Sequence, residues 1–263
     1  MILDRFRLDG RVAIVTGAGK GIGRGIALGF AEAGADIVCG ARTQADIEAT
    51  AEAVRERGSR ALAVPCDVLE TESLENLVSS TLDVFGRIDV LVNNAGGTGP
   101  RAALETSERY FEMALRFNVT QAFLLSKLVV PKMLETAGRG SIVNISSRAS
   151  DMVQTAFAAY GAGKAALNQM TRNVAAEWAP KVRVNAISVG GVDTDALTVV
   201  MQNEAARKLF EAGTPMGRPG SVEDIACAAL YLASDASGWV TGGVFQVDGG
   251  AEAPAIRVPV EPL

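Results

Sequence analysis

The 263-residue chain contains no histidine. That absence excludes Ser-His hydrolases and every metal enzyme that relies on an imidazole ligand. Cysteine is scarce too. Cys39, Cys66 and Cys227 are scattered and odd in number, which argues against a disulfide framework or a metal site and suits a reducing cytoplasm. Aromatics make up only 5% of the residues, although 48% are hydrophobic. Small and β-branched side chains carry that apolarity, as expected of helices packed closely on a parallel sheet. Net charge is −5 and no stretch gathers Lys and Arg, so nucleic acid is not an expected partner. Apolar runs such as "AFLLSK" and "LVVP" are far short of a membrane span, and the opening "MILDRFRLDGR" lacks the apolar core of a signal peptide. No membrane partner is expected, and a cytoplasmic protein is.

What is present is alternation. "RVAIVTG" reads as a buried strand and "IGRGIALGFAEAGA" as an amphipathic helix stopped by Gly34. "DIVCGAR", "RALAVPCDV", "RIDVLVNNAG", "GSIVNISS", "RVNAIS" and "GGVFQVDGG" read as further strands. Between them the pattern predicts helices over 45–57, 71–85, 107–134, 156–178 and 195–212, and one opened by the capping pattern Ser221-x-x-Asp224. The expected fold class is α/β: one domain over 1–263, a doubly wound parallel sheet of about seven strands with helices on both faces. Only the tail 251–263, with three prolines, looks irregular.

"VTGAGKGIGRG" follows the first strand and opens the first helix. Gly17, Gly21 and Gly23 permit a tight turn and a close approach of a dinucleotide diphosphate, with Gly19, Lys20 and Ile22 in the same turn. The helix N-terminus offers free N–H groups to that anion, the Rossmann-type arrangement. An NAD site ends its second strand with a carboxylate for the ribose hydroxyls. Here that position is Ala41, followed by Arg42. Arg42 and Lys20 suit a 2′-phosphate, so NADP(H) is the favoured cofactor and NAD(H) a possible one. Asp67 and Val68 end the third strand, where they can hold an adenine edge. Asn94, Ala95 and Gly96, within "NNAG", end the fourth beside the cofactor trough.

These motifs, with a strand-end serine, "AYGAGK" and the terminal "VTGGVFQVDGG", resemble the short-chain dehydrogenase/reductase family from about Leu8 to Gly250. The resemblance extends to carbonyl reductases, 3-oxoacyl-[acyl-carrier-protein] reductase-like and hydroxysteroid dehydrogenase-like members. It implies Asn118, Ser147, Tyr160 and Lys164 as a catalytic tetrad, Ser147 lying thirteen residues before Tyr160. Asn118 would sit at a helix distortion and hold a relay water. An ordinary phenol, with a pKa of about 10, exchanges protons poorly at neutral pH. Lys164, one helical turn from Tyr160, is expected to favour the phenolate, and in the family it also bonds the nicotinamide ribose. Tyr160 then protonates the carbonyl oxygen as hydride reaches the carbon, with Ser147 bonding that oxygen.

The family commonly has Pro-Gly after the sixth strand. This chain has Val189, Gly190 and Gly191, which suggests a looser turn, followed by Val192 and by Thr194 at the position that bonds the nicotinamide carboxamide. Tyr160, Lys164, Gly190, Val192 and Thr194 therefore join the expected cofactor contacts. Arg148 is expected either to pair with Asp151 or a neighbouring acid or to meet an anionic group of the substrate. The substrate wall is expected to comprise "ASDMVQTAF" (149–157), "GTGPRAAL" (97–104) and the lid-like "DALTVVMQNEAARKLF" (195–210), including Ala149, Met152, Val153, Gly191, Leu197, Val200 and Met201, with a lid over roughly 191–215. Its apolarity suits a hydrophobic ketone or secondary alcohol, such as a keto-steroid or β-ketoacyl thioester. An epimerase, dehydratase or imine reductase with bound NADP is the rival enzyme reading, and a non-catalytic NADP-binding regulator the other. The resemblance also implies a homotetramer, or a dimer, paired through the helices 107–134 and 156–178.

Overall fold

A computed structural model describes residues 1–194, 197, 202–254, 258 and 260. Its strands are β1 (Val12–Thr16), β2 (Asp36–Ala41), β3 (Ala61–Pro65), β4 (Val90–Asn93), β5 (Gly140–Ser147), β6 (Val182–Val189) and β7 (Val244–Val247). They form one parallel sheet in the order β3-β2-β1-β4-β5-β6-β7. Ala13 pairs with Ile37 on one side and Val90 on the other. The order reverses between β1 and β4, and a crevice opens there at the carboxyl ends of the strands.

Alternation along each strand feeds two cores. Val12 and Ile14 pack with Leu74 and Leu77 of α3 (Thr71–Phe85), Leu125 and Met133 of α5 (Gln121–Thr136) and Val174 of α6 (Ala158–Trp178). Ala13 and Val15 face the opposite way, against Ile26 and Phe30 of α1 (Gly21–Glu32), Ile47 and Val54 of α2 (Gln44–Arg55) and Ile225 and Leu232 of α8 (Val222–Ala233). Burial of each large side chain contributes about 1.5–3 kcal/mol. Gly25 and Gly29 let α1 and α8 close on one another: a Cβ at Gly25 would lie 2.8 Å from Val222 Cβ. The capping box opening α8 is present, with Ser221 and Asp224 exchanging backbone bonds. A hydrogen bond from Arg218 holds the Asp224 carboxyl down at about 2.

Three predicted helices differ in detail. The single helix expected over 107–134 is α4 (Glu108–Leu115), a π turn (Arg116–Thr120) and α5. Together they make a 29-residue run which, by length and composition alone, could cross a membrane, longer than the separate apolar runs suggested. Here Ala122, Leu125, Val129 and Met133 of that run are buried in the protein. The helix expected from residue 156 begins at Ala158, because Ala156 has φ +65 and cannot join a right-handed turn. Of the stretch 195–212, the described helix is α7 (Glu204–Ala212).

Candidate active site

Two hollows lie along the crevice. The smaller, about 280 Å³, is lined by Gly17, Gly19, Lys20, Arg42, Asp67 and Val68 and by the loop Asn94–Gly96. The glycine turn is fixed by sterics. Gly17 and Gly21 have φ +65 and +52, and a Cβ on Gly23 would sit 2.3 Å from Gly17 O and 2.5 Å from Asn94 Nδ2. No side chain caps the N-terminus of α1, and no acid occupies its first turn, so its amides are left to an anion. A backbone cradle, uncapped amides and two adjacent cations fit a dinucleotide.

The loop after β4 is tied to this turn. Thr16 Oγ1 accepts from the backbone of Asn94 (3.0 Å) and Ala95 (3.1 Å), and Asn94 Nδ2 donates to Thr16 O at 2.9 Å. Asn94 therefore spends its amide on the turn. Asn93 is buried and donates to Ser126 Oγ and Asn144 Oδ1, so it braces the sheet. Asp67 accepts from Leu69 N at 3.0 Å while still facing the hollow. One acid had no sequence signal: Asp46, in the first turn of α2, lines the hollow and pairs with Lys20 at 3.4 Å. Lys20 and Arg42 are thus not alone there, contrary to the reading of two cations without an acid.

The larger hollow, about 730 Å³, lies beyond Gly96 and is lined by Ser147, Tyr160 and Lys164, together with Ile22, Gly190, Val192 and Thr194. Tyr160 is hydrogen-bonded to Ser147. A buried chain from Asn93 through Asn144 to Thr171 (Asn144 Nδ2 to Thr171 Oγ1, 2.8 Å) locks α6 to β5 and so fixes the phenol against the serine. Lys164 is 4% exposed, and its Nζ donates to Ile145 O at 2.8 Å. Burial pushes this ammonium down to about 8.

Burial also raises the Tyr160 phenol above its ordinary value, and only the Ser147 hydrogen bond opposes that rise. The expectation that Lys164 favours the phenolate is therefore not met by the protein's own groups. The lysine Nζ lies 5.8 Å from the tyrosine ring centroid and spends a bond on Ile145 O.

Asn118 lies in the π turn, 1% exposed. Its Oδ1 accepts from Gly97 N at 2.9 Å and its Nδ2 donates to Ala114 O at 2.9 Å. Asn118 does not line the hollow. Gly96 separates it from the lysine: a Cβ there would lie 3.0 Å from Asn118 Oδ1 and 3.1 Å from Lys164 Nζ.

The turn after β6 is tighter than its two glycines suggest. Gly190 N donates to Val247 O (3.0 Å), Gly220 N to Gly191 O (2.9 Å) and Asp193 N to Gly220 O (2.8 Å). Gly190 is required, since a Cβ would lie 2.6 Å from Asp248 Cα. Thr194 packs on the glycine turn, its Cγ2 3.3 Å from where a Gly21 Cβ would be. Arg148 pairs with Asp151 and also, at 2.7 Å, with Asp248.

Of the expected substrate wall, Ala149, Met152, Gly191 and Leu197 line the large hollow. Val153 is 90% exposed and does not, while Val200 and Met201 lie outside the described residues. Gln154 and Phe157 of the expected segment 149–157, Thr98, Gly99 and Pro100 of 97–104, and Phe210 of 195–210 line it too. Thr214 and the tail residues Ala251, Ala253, Pro254 and Val258 join them from outside those segments.

A family model described as "Enoyl-(Acyl carrier protein) reductase" matches residues 17–252. The chain is 45% identical, over 100% of both chains, to an uncharacterized oxidoreductase of Mycobacterium tuberculosis. It is 40% identical to the 7alpha-hydroxysteroid dehydrogenase of Escherichia coli, over 94% of this chain and 96% of that one. Among solved structures, a 7 alpha-hydroxysteroid dehydrogenase complexed with NADH and 7-oxo glycochenodeoxycholic acid superposes with a TM-score of 0.91 at 38% identity, covering 95% of this chain and 97% of that one. A putative 2-deoxy-D-gluconate 3-dehydrogenase from Agrobacterium tumefaciens with bound NADP gives 0.86 at 34%, covering 94% and 98%. With one parallel sheet, a glycine cradle at its switch point and relatives that match from end to end, the chain belongs to the short-chain dehydrogenase/reductase family and is an oxidoreductase acting on hydroxyl and carbonyl groups.

Proposed function

We propose that the protein is an NADP(H)-preferring oxidoreductase that interconverts a carbonyl and a secondary alcohol on a hydrophobic substrate such as a keto-steroid or β-ketoacyl thioester. The observation that carries this reading is the meeting of Tyr160, Ser147 and Lys164 at one wall of a large, mainly apolar cavity. Its volume, about 730 Å³, lies within the range of ligand pockets. Gly17, Gly19, Gly21 and Gly23 would hold the diphosphate with the α1 amides, Arg42 and Lys20 a 2′-phosphate, and Asp67, Val68 and Ala95 the adenosine. Ile22, Asn94, Gly96, Gly190, Val192 and Thr194 would border the nicotinamide. The bound cofactor supplies or accepts hydride.

The chain's own groups handle the proton. An ordinary phenol is already protonated at neutral pH and burial raises Tyr160 further, so its hydroxyl is an acid ready to donate to a carbonyl oxygen. Ser147 bonds both the phenol and that oxygen as charge develops on it. Lys164, its Nζ already donating to Ile145 O, would hold the nicotinamide ribose, as the family resemblance implies. Asn118 is a positioning residue that fixes the Gly96–Gly97 loop against the lysine.

NAD(H) is the second reading of the cofactor, favoured by the Lys20–Asp46 pair and by the NADH in the hydroxysteroid dehydrogenase structure. Further parts of the proposal are one domain with a lid over about 191–215, three free thiols suiting the cytoplasm, and a homotetramer. Exposed Phe111, Met113, Phe123 and Trp239 supply apolar surface for such an assembly. The test is cofactor oxidation against keto-steroids, β-ketoacyl thioesters, quinones and small ketones, with NADPH and NADH in parallel. Turnover of bulky apolar ketones with NADPH preferred is expected. Equal efficiency with NADH removes the cofactor preference, and redox-neutral conversion of a substrate removes the oxidoreductase reading.

A further inference from the structure

We propose that Gln121 is a positioning residue of the cofactor site: its side-chain amide holds Ala95 against Phe117 and so sets the adenosine end of the smaller hollow. The proposal rests on the reading of that hollow as a dinucleotide site.

Gln121 is the first residue of α5, directly after the π turn. Its backbone N–H bonds Arg116 O, five residues back, where an α-helix would have it bond Phe117 O. The side chain of the same residue makes up that link, Nε2 donating to Phe117 O at 3.4 Å. The same nitrogen donates to Ala95 O at 2.9 Å, across to the loop after β4. Two carbonyl acceptors on one nitrogen fix the orientation of the amide, since turning it over would set its oxygen against both of them.

Ala95 and Phe117 both line the smaller hollow, and neither borders the larger. Asn118 works on the other side of the same loop. Its Oδ1 accepts from Gly97 N, and Gly97 lines the larger hollow. The two amides therefore hold opposite ends of the run Ala95–Gly97, Gln121 on the cofactor side and Asn118 on the substrate side.

Stability alone does not account for an amide at this position. Gln121 is 2% exposed, and its neighbours Ala122 and Leu125 are fully buried. Its Oε1 has no hydrogen-bond partner among the described residues. A buried acceptor without a partner lowers stability, and an apolar side chain of the same length would avoid that loss. What the amide supplies instead is the link between Ala95 and Phe117, as expected where a buried residue serves a site.

The experiment titrates NADPH, NADH and adenosine 5′-diphosphate, the part common to both cofactors, into the full-length enzyme and into Gln121→Met. Methionine keeps the length of the side chain and removes its donors. Kd for each ligand is expected to rise about ten-fold through loss of the bonds to the two carbonyls. KM for the cofactor rises with it, while kcat at saturating cofactor stays within about two-fold, because Asn118 still holds Gly97. Gln121→Glu keeps the shape but sets an acceptor against the two carbonyls. It is expected to lose at least as much affinity, and it carries the test if Gln121→Met does not fold.

Variant affinities equal to those of the wild type, whatever the change in Tm, would make Gln121 a packing residue and overturn the proposal alone. A loss confined to the dinucleotides, with adenosine 5′-diphosphate unaffected, also overturns it. Wild-type enzyme that binds none of these ligands overturns the dinucleotide reading and the proposal with it.

Discussion

The two hollows of the crevice are built in different ways. Around the smaller one, the backbone itself makes the contacts, and small changes are sterically forbidden. Gly17 and Gly21 need positive φ, and Gly23 has no room for a Cβ. Thr16 and Asn94 then stitch the turn to the next strand end through backbone atoms. Around the larger hollow, only Ser147, Tyr160 and Lys164 come from a contiguous, rigid pair of elements. The rest of its wall comes from scattered segments: Ile22 of α1, the loops after β4 and β5, the turn after β6, Leu197, Phe210 and Thr214, and the tail. The first hollow is constrained to one ligand geometry. The second is constrained only to be apolar, which is how one scaffold comes to serve many substrates.

That contrast can be broken most readily at Gly23. Gly23→Ala is expected to destabilise the fold by about 1–3 kcal/mol through overpacking and to weaken cofactor binding at least about ten-fold, or 1.4 kcal/mol. Thermal melting and calorimetric titration with NADPH read the two effects, and unaltered affinity would mean that the turn yields. Arg42→Ala is expected to raise KM for NADPH about ten-fold, the loss of one charge-assisted hydrogen bond, with KM for NADH unchanged. Equal losses with both cofactors would return Arg42 to a solvated surface charge and favour the Lys20–Asp46 reading.

The smallest effect is on stability. Lys164 carries its charge into a buried site, so Lys164→Met is expected to abolish turnover yet raise Tm at pH 7 by about 2–4 °C, roughly 1 kcal/mol. The sign follows from linkage. The folded value of about 8 lies below the ordinary 10.5, so the unfolded chain binds more protons between them and wild-type stability rises with pH across that window. The variant's advantage is full below pH 8 and shrinks toward pH 10.5. An advantage independent of pH would assign it to packing instead.

Much of this was legible in the sequence, for physical reasons. All seven strands were found because both faces of a parallel sheet demand apolar runs. The glycine turn, Ser147, Tyr160 and Lys164 were found because strand ends and helix spacing fix them. Apolar periodicity read 107–134 as one helix because a π turn leaves no mark on it, and only the family resemblance placed a distortion at Asn118, within Arg116–Thr120. Asp46 was missed because one acid in the first turn of a helix reads as an ordinary dipole partner. The tail was set aside as irregular because its prolines argue against regular structure, which says nothing about packing. The sense of the Tyr160 shift was misjudged because spacing reveals proximity but not burial. Desolvation raises the phenol there, opposed only by the Ser147 hydrogen bond.

The central claim is that the Tyr160 hydroxyl supplies the proton for carbonyl reduction, and Tyr160→Phe tests it most directly. With the ketone that the wild type turns over fastest, the variant is expected to lose at least about a thousand-fold in kcat, within the usual span of acid catalysis. Its NADPH affinity should remain within about two-fold, since the ring and its packing are kept. Turnover within ten-fold of wild type, with cofactor still bound, would contradict the account.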